Sequence, residues 1–107
     1  MAWIYLTVAG ILEIIWAFSM KKSLGFTLLV PTVITILTMV LSFGLLSMAM
    51  RSLPLGTAYA VWTGIGAVGA FFLGILALGE AASPTRIVAA LMIVAGIALM
   101  KLSSLDS

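Results

Sequence analysis

The sequence predicts an all-α integral membrane protein in which four transmembrane helices form a single domain over residues 1–107. Of the 107 residues, 64% are hydrophobic and 7% are charged, whereas an average soluble domain has ~25% charged residues. Four spans of ~20 residues cover this length and leave only short links. So few charged side chains cannot cover a soluble surface, and the basic residues do not cluster. A soluble enzyme, a disordered tail and a nucleic-acid-binding module are therefore excluded.

The first two helices follow from two long apolar runs. The first helix is predicted over Ala2–Met20, an apolar run that only Glu13 interrupts. It has no basic leader and no small-residue cleavage site, so we expect it to be retained rather than removed as a signal peptide. The second helix is predicted over Leu28–Met50, and Pro31 falls in its first turn, where proline is tolerated.

The last two helices are separated by a short link that contains glycine and proline. The third helix is predicted over Thr57–Leu78 and the fourth over Pro84–Ser103. Ser83 is a good N-cap for the fourth helix, and proline suits the first helical position. We expect residues 104–107 to form a loose end.

Charge bias predicts no fixed orientation in the membrane. With four helices, Arg51 and Lys101 lie on the side of the termini, and Lys21, Lys22 and Arg86 lie on the other side. Two against three is too small a bias to set an orientation. Such a chain can insert both ways, and two opposed copies would form an inverted pair, here an antiparallel, dual-topology homodimer. On the fourth helix, the small residues that can line the seam between copies are Ala89 and Gly96.

Glu13 is the strongest functional signal, because it is the ionisable residue within a span. At ~1.5 Å per residue it lies ~17 Å from the helix start, near the bilayer midplane. A lone carboxylate is costly there as an anion, so it favours a role as a proton carrier or as a binding site for a cation. The alternative is a protonated, buried glutamic acid that makes one hydrogen bond between helices.

Aromatic residues are placed to accompany this carboxylate. Trp16 follows Glu13 by three residues and shares its helix face, and Tyr59 and Trp62 share a face of the third helix. Aromatic rings attract cations, and a phenol hydroxyl can position a carboxylate. The alternative for all three is an aromatic belt at the membrane surface, and spacing alone does not separate the two interpretations.

Hydroxyl residues recur at helical spacing on the second helix, at Thr35, Thr38 and Ser42. Such hydroxyls often bond the carbonyl of the preceding turn and do nothing else, which is the expectation for the threonines. Ser42 lies near mid-span, where it can support Glu13.

Glycines crowd the middle of the third helix. Gly66, Ala70 and Gly74 form a row of small residues that lets another backbone approach closely. Close packing is the first interpretation for Gly64 and Gly66 as well. A second interpretation is that these two glycines form a hinge, because glycine weakens a helix.

Two segments carry a resemblance to a known family. Residues 10–17 (GILEIIWA) and 54–67 (PLGTAYAVWTGIGA) resemble the small multidrug resistance family, and the resemblance covers nearly the whole chain. Within the family the chain is similar to the guanidinium-exporter branch, whose older label is quaternary ammonium resistance. The features that point to that branch are Trp-Ala after the glutamate, Gly25-Phe26-Thr27 in the first link and the run Trp62-Thr-Gly-Ile-Gly66.

This resemblance implies a fold and an activity. It implies an antiparallel, dual-topology homodimer of four-helix chains in a bacterial inner membrane, with the fourth helix at the dimer contact. It also implies proton-coupled antiport of guanidinium ions, with Glu13 of both subunits binding substrate or protons. The side chains that would line the site and orient the carboxylates are Trp16, Ser42, Tyr59 and Trp62, with Gly10 making room.

Several other functions stay open. The broad branch of the family exports aromatic and quaternary ammonium cations, and Met39, Phe43 and Leu46 on the second helix can open an apolar side gate for alkyl tails. An accessory structural membrane protein and a channel are further alternatives. The sequence has no cysteine and no histidine, so we predict no cofactor, no metal site and no enzymatic activity.

Overall fold

The computed structural model describes residues 1–105 as four α-helices joined by short links. Each helix is long and apolar enough to cross a membrane, with mean hydropathies between 1.6 and 2.2. The chain is therefore a multi-pass membrane protein, as its composition predicts. The helices are α1 (Ala2–Lys22), α2 (Leu29–Ala49), α3 (Leu55–Leu78) and α4 (Pro84–Leu105).

The helix ends differ from the sequence expectations by one or two residues. α1 continues through Lys21 and Lys22, since cations in the last turn stabilise the negative end of a helix. α3 begins earlier, at Leu55, directly after Pro54. α4 runs through residues 104 and 105, because no glycine or proline after Gly96 ends it. The expected loose end therefore does not start at residue 104, and residues 106–107 lie outside the described residues.

The link between α3 and α4 is fixed by its own hydrogen bonds. The amide of Arg86 donates to the Ser83 hydroxyl over 3.2 Å, so Ser83 caps α4 as predicted. At the end of α3, Gly79 has a φ of 68°, in the left-handed region that glycine reaches without strain. The amide of Glu80 then donates to the carbonyl of Gly74 over 3.1 Å, which folds the chain back over the helix end.

α1, α2 and α3 meet around a small buried core that includes Leu6, Val61 and Trp62. α1 packs against both α2 and α3, whereas α4 packs mainly against α3, and its Lys101 side chain reaches the ring of Trp3 on α1. The principal extents are 45 × 34 × 16 Å, so the chain is flat. Most of α4 is exposed.

Candidate functional site

Glu13 lies in the middle of α1 and faces the seam with α3. A Cβ atom built on Gly66 would overlap the Glu13 carboxyl, so the carboxyl group rests directly on the α3 backbone. Its Oε1 atom is buried and has no hydrogen-bond partner among the described residues. A buried polar atom without a partner costs about 1–3 kcal/mol, so its presence calls for a ligand, a proton or a second chain.

Two further glycines allow α1 and α3 to approach closely around Glu13. A Cβ on Gly10 would lie 2.6 Å from Cγ2 of Ile65, and one on Gly69 would overlap Ile14. Gly10 therefore makes room for Ile65 and for the approach of the helices, one turn away from the carboxyl group itself. The close approach of α1 and α3 at Gly10 and Gly69 brings the α3 backbone into contact with the Glu13 carboxyl group.

The glycines in the middle of α3 serve close packing in this structure. Gly66 receives the Glu13 carboxyl, and a Cβ on Gly64 would lie 2.8 Å from Cδ1 of Ile97 on α4. α3 is one continuous helix through both positions. The hinge at Gly64 and Gly66 remains a prediction.

Ser42 ties three helices together and does not hydrogen-bond to Glu13. Its buried hydroxyl donates to the carbonyl of Ala9 on α1 over 2.7 Å. The indole Nε1 of Trp62 on α3 donates to the same hydroxyl oxygen over 3.0 Å. Because the Ser42 hydroxyl proton is given to Ala9, it is not available to Glu13, and the hydroxyl oxygen holds Trp62 in place. A role of Ser42 in supporting Glu13 remains a prediction.

The threonines of α2 follow the expectation for hydroxyls in a helix. Thr35 donates to the carbonyl of Pro31 over 2.8 Å, and Thr38 donates to that of Ile34 over 2.7 Å. Both bonds stay within α2. Ser42 differs from its two neighbours because its hydroxyl crosses to α1.

Four aromatic rings from α1, α2 and α3 form a continuous row that begins at Trp16, about one helical turn from Glu13. Ring centroids lie 6.4 Å apart for Trp16 and Phe43, 5.7 Å for Phe43 and Trp62, and 5.6 Å for Tyr59 and Trp62. Trp62 is only 6% exposed, so it belongs to the packed interior and not to a surface belt. Phe43 was expected in an apolar side gate on α2. Its position between two indoles depends on the packing of α2 against α1 and α3, which no local pattern reveals.

Trp16 adds a second unpaired polar atom next to Glu13. Its Nε1 is buried and has no hydrogen-bond partner in the part of the chain that the structure describes. A carboxylate acceptor and an indole donor thus stand three residues apart on one helix face, both without partners among residues 1–105. Tyr59 is 54% exposed, and within residues 1–105 no hydrogen bond joins it to Glu13. The phenol does not position the carboxylate within one chain.

The residues expected at a dimer seam lie away from this site. Ala89 and Gly96 are both exposed on α4, and a Cβ on Gly96 would meet nothing within 4 Å. Both are free to contact another chain, and a dimer seam there remains a prediction. Among the described residues, no group of three or more metal-ligating side chains occurs.

The fold and the site define a small multi-pass membrane protein with an intramembrane acid set among aromatic rings. Residues 1–94 match the family model described as Small Multidrug Resistance protein, and the chain belongs to that family. The proteins named guanidinium exporter from Citrobacter freundii and Salmonella typhimurium are each 59% identical over 104 residues, or 97% of this chain and 99% of theirs. A protein of the same name from Escherichia coli strain K12 is 55% identical over the same length. The resemblance drawn from residues 10–17 and 54–67 is confirmed.

Proposed function

We propose that this chain exports guanidinium and small substituted guanidinium cations in exchange for protons, with Glu13 binding either ion in turn. The observation that carries the proposal is the Glu13 carboxyl, whose buried Oε1 has no partner among the described residues. The near-full-length similarity to proteins named guanidinium exporter, at 55–59% identity, supports the choice of substrate.

The exchange follows from the position of a single carboxylate in hydrocarbon. An ionised carboxylate is costly there, so it must hold either a proton or a cation. The two ions compete for the same oxygens, and binding of one releases the other. Guanidinium is planar with paired N–H donors that match the two carboxylate oxygens. The neighbouring ring of Trp16 adds attraction for a cation.

The proposal includes an antiparallel homodimer in a bacterial inner membrane. A chain that is 16 Å across in its shortest dimension cannot enclose a substrate on all sides, so the proposal requires a second copy to cover the site. The balance of two basic residues against three allows both orientations. When the dimer switches between its inward-open and outward-open states, the two identical, opposed copies exchange conformations. The two states are therefore equivalent. Tags on both termini would report a single fixed topology if this part of the proposal is wrong.

A second candidate substrate class is supported by the exposure of two aromatic rings. Phe43 and Tyr59 are 46% and 54% exposed, respectively, and each ring contacts the ring of the buried Trp62. Exposed aromatic rings suit quaternary ammonium and other cations with apolar substituents. Competition between guanidinium and tetra-alkylammonium ions in the transport assay separates a narrow exporter from a broad one.

Guanidinium-driven proton movement in sealed proteoliposomes tests the central claim. Addition of guanidinium should move protons in the opposite direction in native protein, and Glu13→Gln should abolish the movement while keeping the size of the side chain. Asp106→Asn is the matched control, because it also removes one carboxylate charge from the chain and should behave as native.

Three outcomes contradict the proposal in different ways. Equal proton movement in native protein and Glu13→Gln would remove Glu13 from the mechanism. Current without proportional proton movement would indicate a channel. Silence of the native protein with guanidinium and with quaternary ammonium ions would leave an accessory structural role as the best account.

A further inference from the structure

A cavity of about 160 Å³ lies between the C-terminal halves of α1 and α3, apart from the aromatic row. Its lining includes Ala17 and Lys21 from α1, Ala70 and Gly74 from α3, and Glu80 from the link after α3. We call it the outer crevice. It combines an apolar wall with one exposed anion and one exposed cation, which is unusual in a chain with 7% charged residues.

The outer crevice leads toward Glu13 along the row of small residues on α3. The Glu13 carboxyl lies against Gly66, and the Glu80 carboxyl lies against Gly74, where a Cβ atom would overlap it in each case. These glycines are eight residues apart, or about 12 Å along the helix. Ala70 lies midway between the glycines and lines the crevice. The crevice thus reaches to within one helical turn of the central site.

The turn at the end of α3 places the negatively charged Glu80 carboxylate at the helix C-terminus, which is itself the negative end of the helix dipole. The left-handed Gly79 and the hydrogen bond from the Glu80 amide to the Gly74 carbonyl bring this side chain back over the helix end. A helix C-terminus carries the negative end of the helix dipole, which disfavours a carboxylate and favours a cation. Among residues 1–105, no hydrogen bond or ion pair engages the carboxylate of Glu80.

The size and the charges of the outer crevice suit a small organic cation that is held only briefly. A volume of about 160 Å³ exceeds the ~30 Å³ share of one water molecule several times, so it admits a guanidinium ion. The paired donors of guanidinium match the carboxylate of Glu80. Lys21 on the opposite wall repels the same ion and keeps the affinity low. A site on a transport path needs that balance, because an ion that binds there must also leave.

From this geometry we infer that the outer crevice is a second cation site, in which Glu80 binds a guanidinium-class ion on its way to or from Glu13. The inference rests on the proposed function. In an antiparallel dimer the outer crevices of the two copies lie at opposite membrane faces, so each face has one Glu80. Cations are then captured on one side and released on the other through equivalent sites.

Thiol labelling tests the outer crevice without relying on transport. The chain has no cysteine, so Ala70→Cys places a single thiol in the crevice wall. Full-length protein in nanodiscs is treated with a cationic methanethiosulfonate reagent and with a neutral one of similar size. Adding Glu80→Gln should lower the ratio of cationic to neutral labelling rates by about three- to tenfold, because one nearby charge is lost. Lys21→Gln should raise the ratio, and guanidinium should slow labelling only when Glu80 is present.

Matched variants separate charge from structure. Glu80→Asp keeps the charge and should keep most of the preference, and Asp106→Asn should leave the ratio unchanged. Ala17→Cys, on the facing wall, repeats the test if Ala70→Cys fails to fold. Equal ratios in Glu80→Gln and Asp106→Asn would overturn the inference. So would thiols on both walls that fail to react with either reagent.

Transport kinetics give the second readout and keep the two proposals distinct. In proteoliposomes, Glu80→Gln should raise the half-saturating guanidinium concentration about three- to tenfold and leave the maximal rate within about twofold of native. A fall in maximal rate alone would indicate a structural role and overturn the inference. If native protein moves no protons with guanidinium, the proposed function fails, whereas the labelling ratio still decides whether Glu80 attracts cations into the crevice.

Discussion

Substitution of Gly66 separates the function of the α1–α3 contact from its contribution to stability. In Gly66→Ala the new methyl group would overlap Oε1, Cδ and Cγ of Glu13, which form the outer part of a flexible side chain. We expect the carboxyl group to swing aside rather than the helices to separate. An off-rotamer side chain costs about 0.5–1.5 kcal/mol, and alanine gains about 1 kcal/mol over glycine within a helix. The free energy of unfolding should therefore change by less than about 1 kcal/mol.

The same substitution should nevertheless disable transport. A displacement of about 1 Å in a group that positions substrate can lower a rate by up to ~100-fold. Guanidinium-driven proton movement in proteoliposomes and unfolding in detergent micelles measure the two effects on one preparation. Gly44→Ala is the matched control, because a Cβ there meets nothing within 4 Å. If Gly66→Ala transports as well as Gly44→Ala, the placement of the Glu13 carboxyl on the α3 backbone does not matter for function.

Three further predictions follow from the same contacts. Gly10→Ala should lower the free energy of unfolding by about 1–3 kcal/mol relative to Gly44→Ala, because its methyl group meets the rigid Cβ of Ile65 at 2.7 Å; equal stability would refute this. Ser42→Ala should cost about 1–3 kcal/mol in unfolding experiments and shift tryptophan fluorescence, since it leaves the Trp62 Nε1 without its acceptor; an unchanged spectrum would contradict the bond. If protons compete with guanidinium at Glu13, the half-saturating guanidinium concentration should rise as pH falls, up to tenfold per pH unit, and a pH-independent value would exclude competition.

The sequence predicts the helices well because the bilayer dictates their length. In a chain of this composition, runs of ~20 apolar residues are expected to form transmembrane helices. Ser83 marks the start of α4 through the hydrogen bonding of an N-cap, which depends only on residues nearby in the sequence. Glu13 stands out for the same reason, since a charge in such a run is unexpected without a role. These features need no knowledge of how the helices pack.

The partners of the site residues could not be read from the sequence in the same way. Ser42 bonds Ala9, which is 33 residues away, whereas its depth indicated only that it can support Glu13. Gly66 carried two local interpretations, packing and hinge, and only its register against α1 identifies the carboxyl group as its neighbour. Phe43 joins two indoles from different helices. Each of these contacts depends on the relative rotation of helices, which local periodicity leaves free.

The two unpaired polar atoms and the flat shape of the chain have one physical explanation under the proposed dimer. Oε1 of Glu13 and Nε1 of Trp16 are buried without partners among the described residues, in a chain that is only 16 Å across in its shortest dimension. Buried polar atoms are rarely left unpaired. The Glu13 oxygen can be satisfied by a proton, by a substrate cation or by a donor from another chain, whereas the Trp16 N–H needs an acceptor, which another chain can supply. An opposed second copy would bring a second carboxylate to the same depth, because Glu13 lies near the midplane. Two carboxylates that share one site resist ionising together unless a cation lies between them, and this resistance couples the arrival of substrate to the departure of protons.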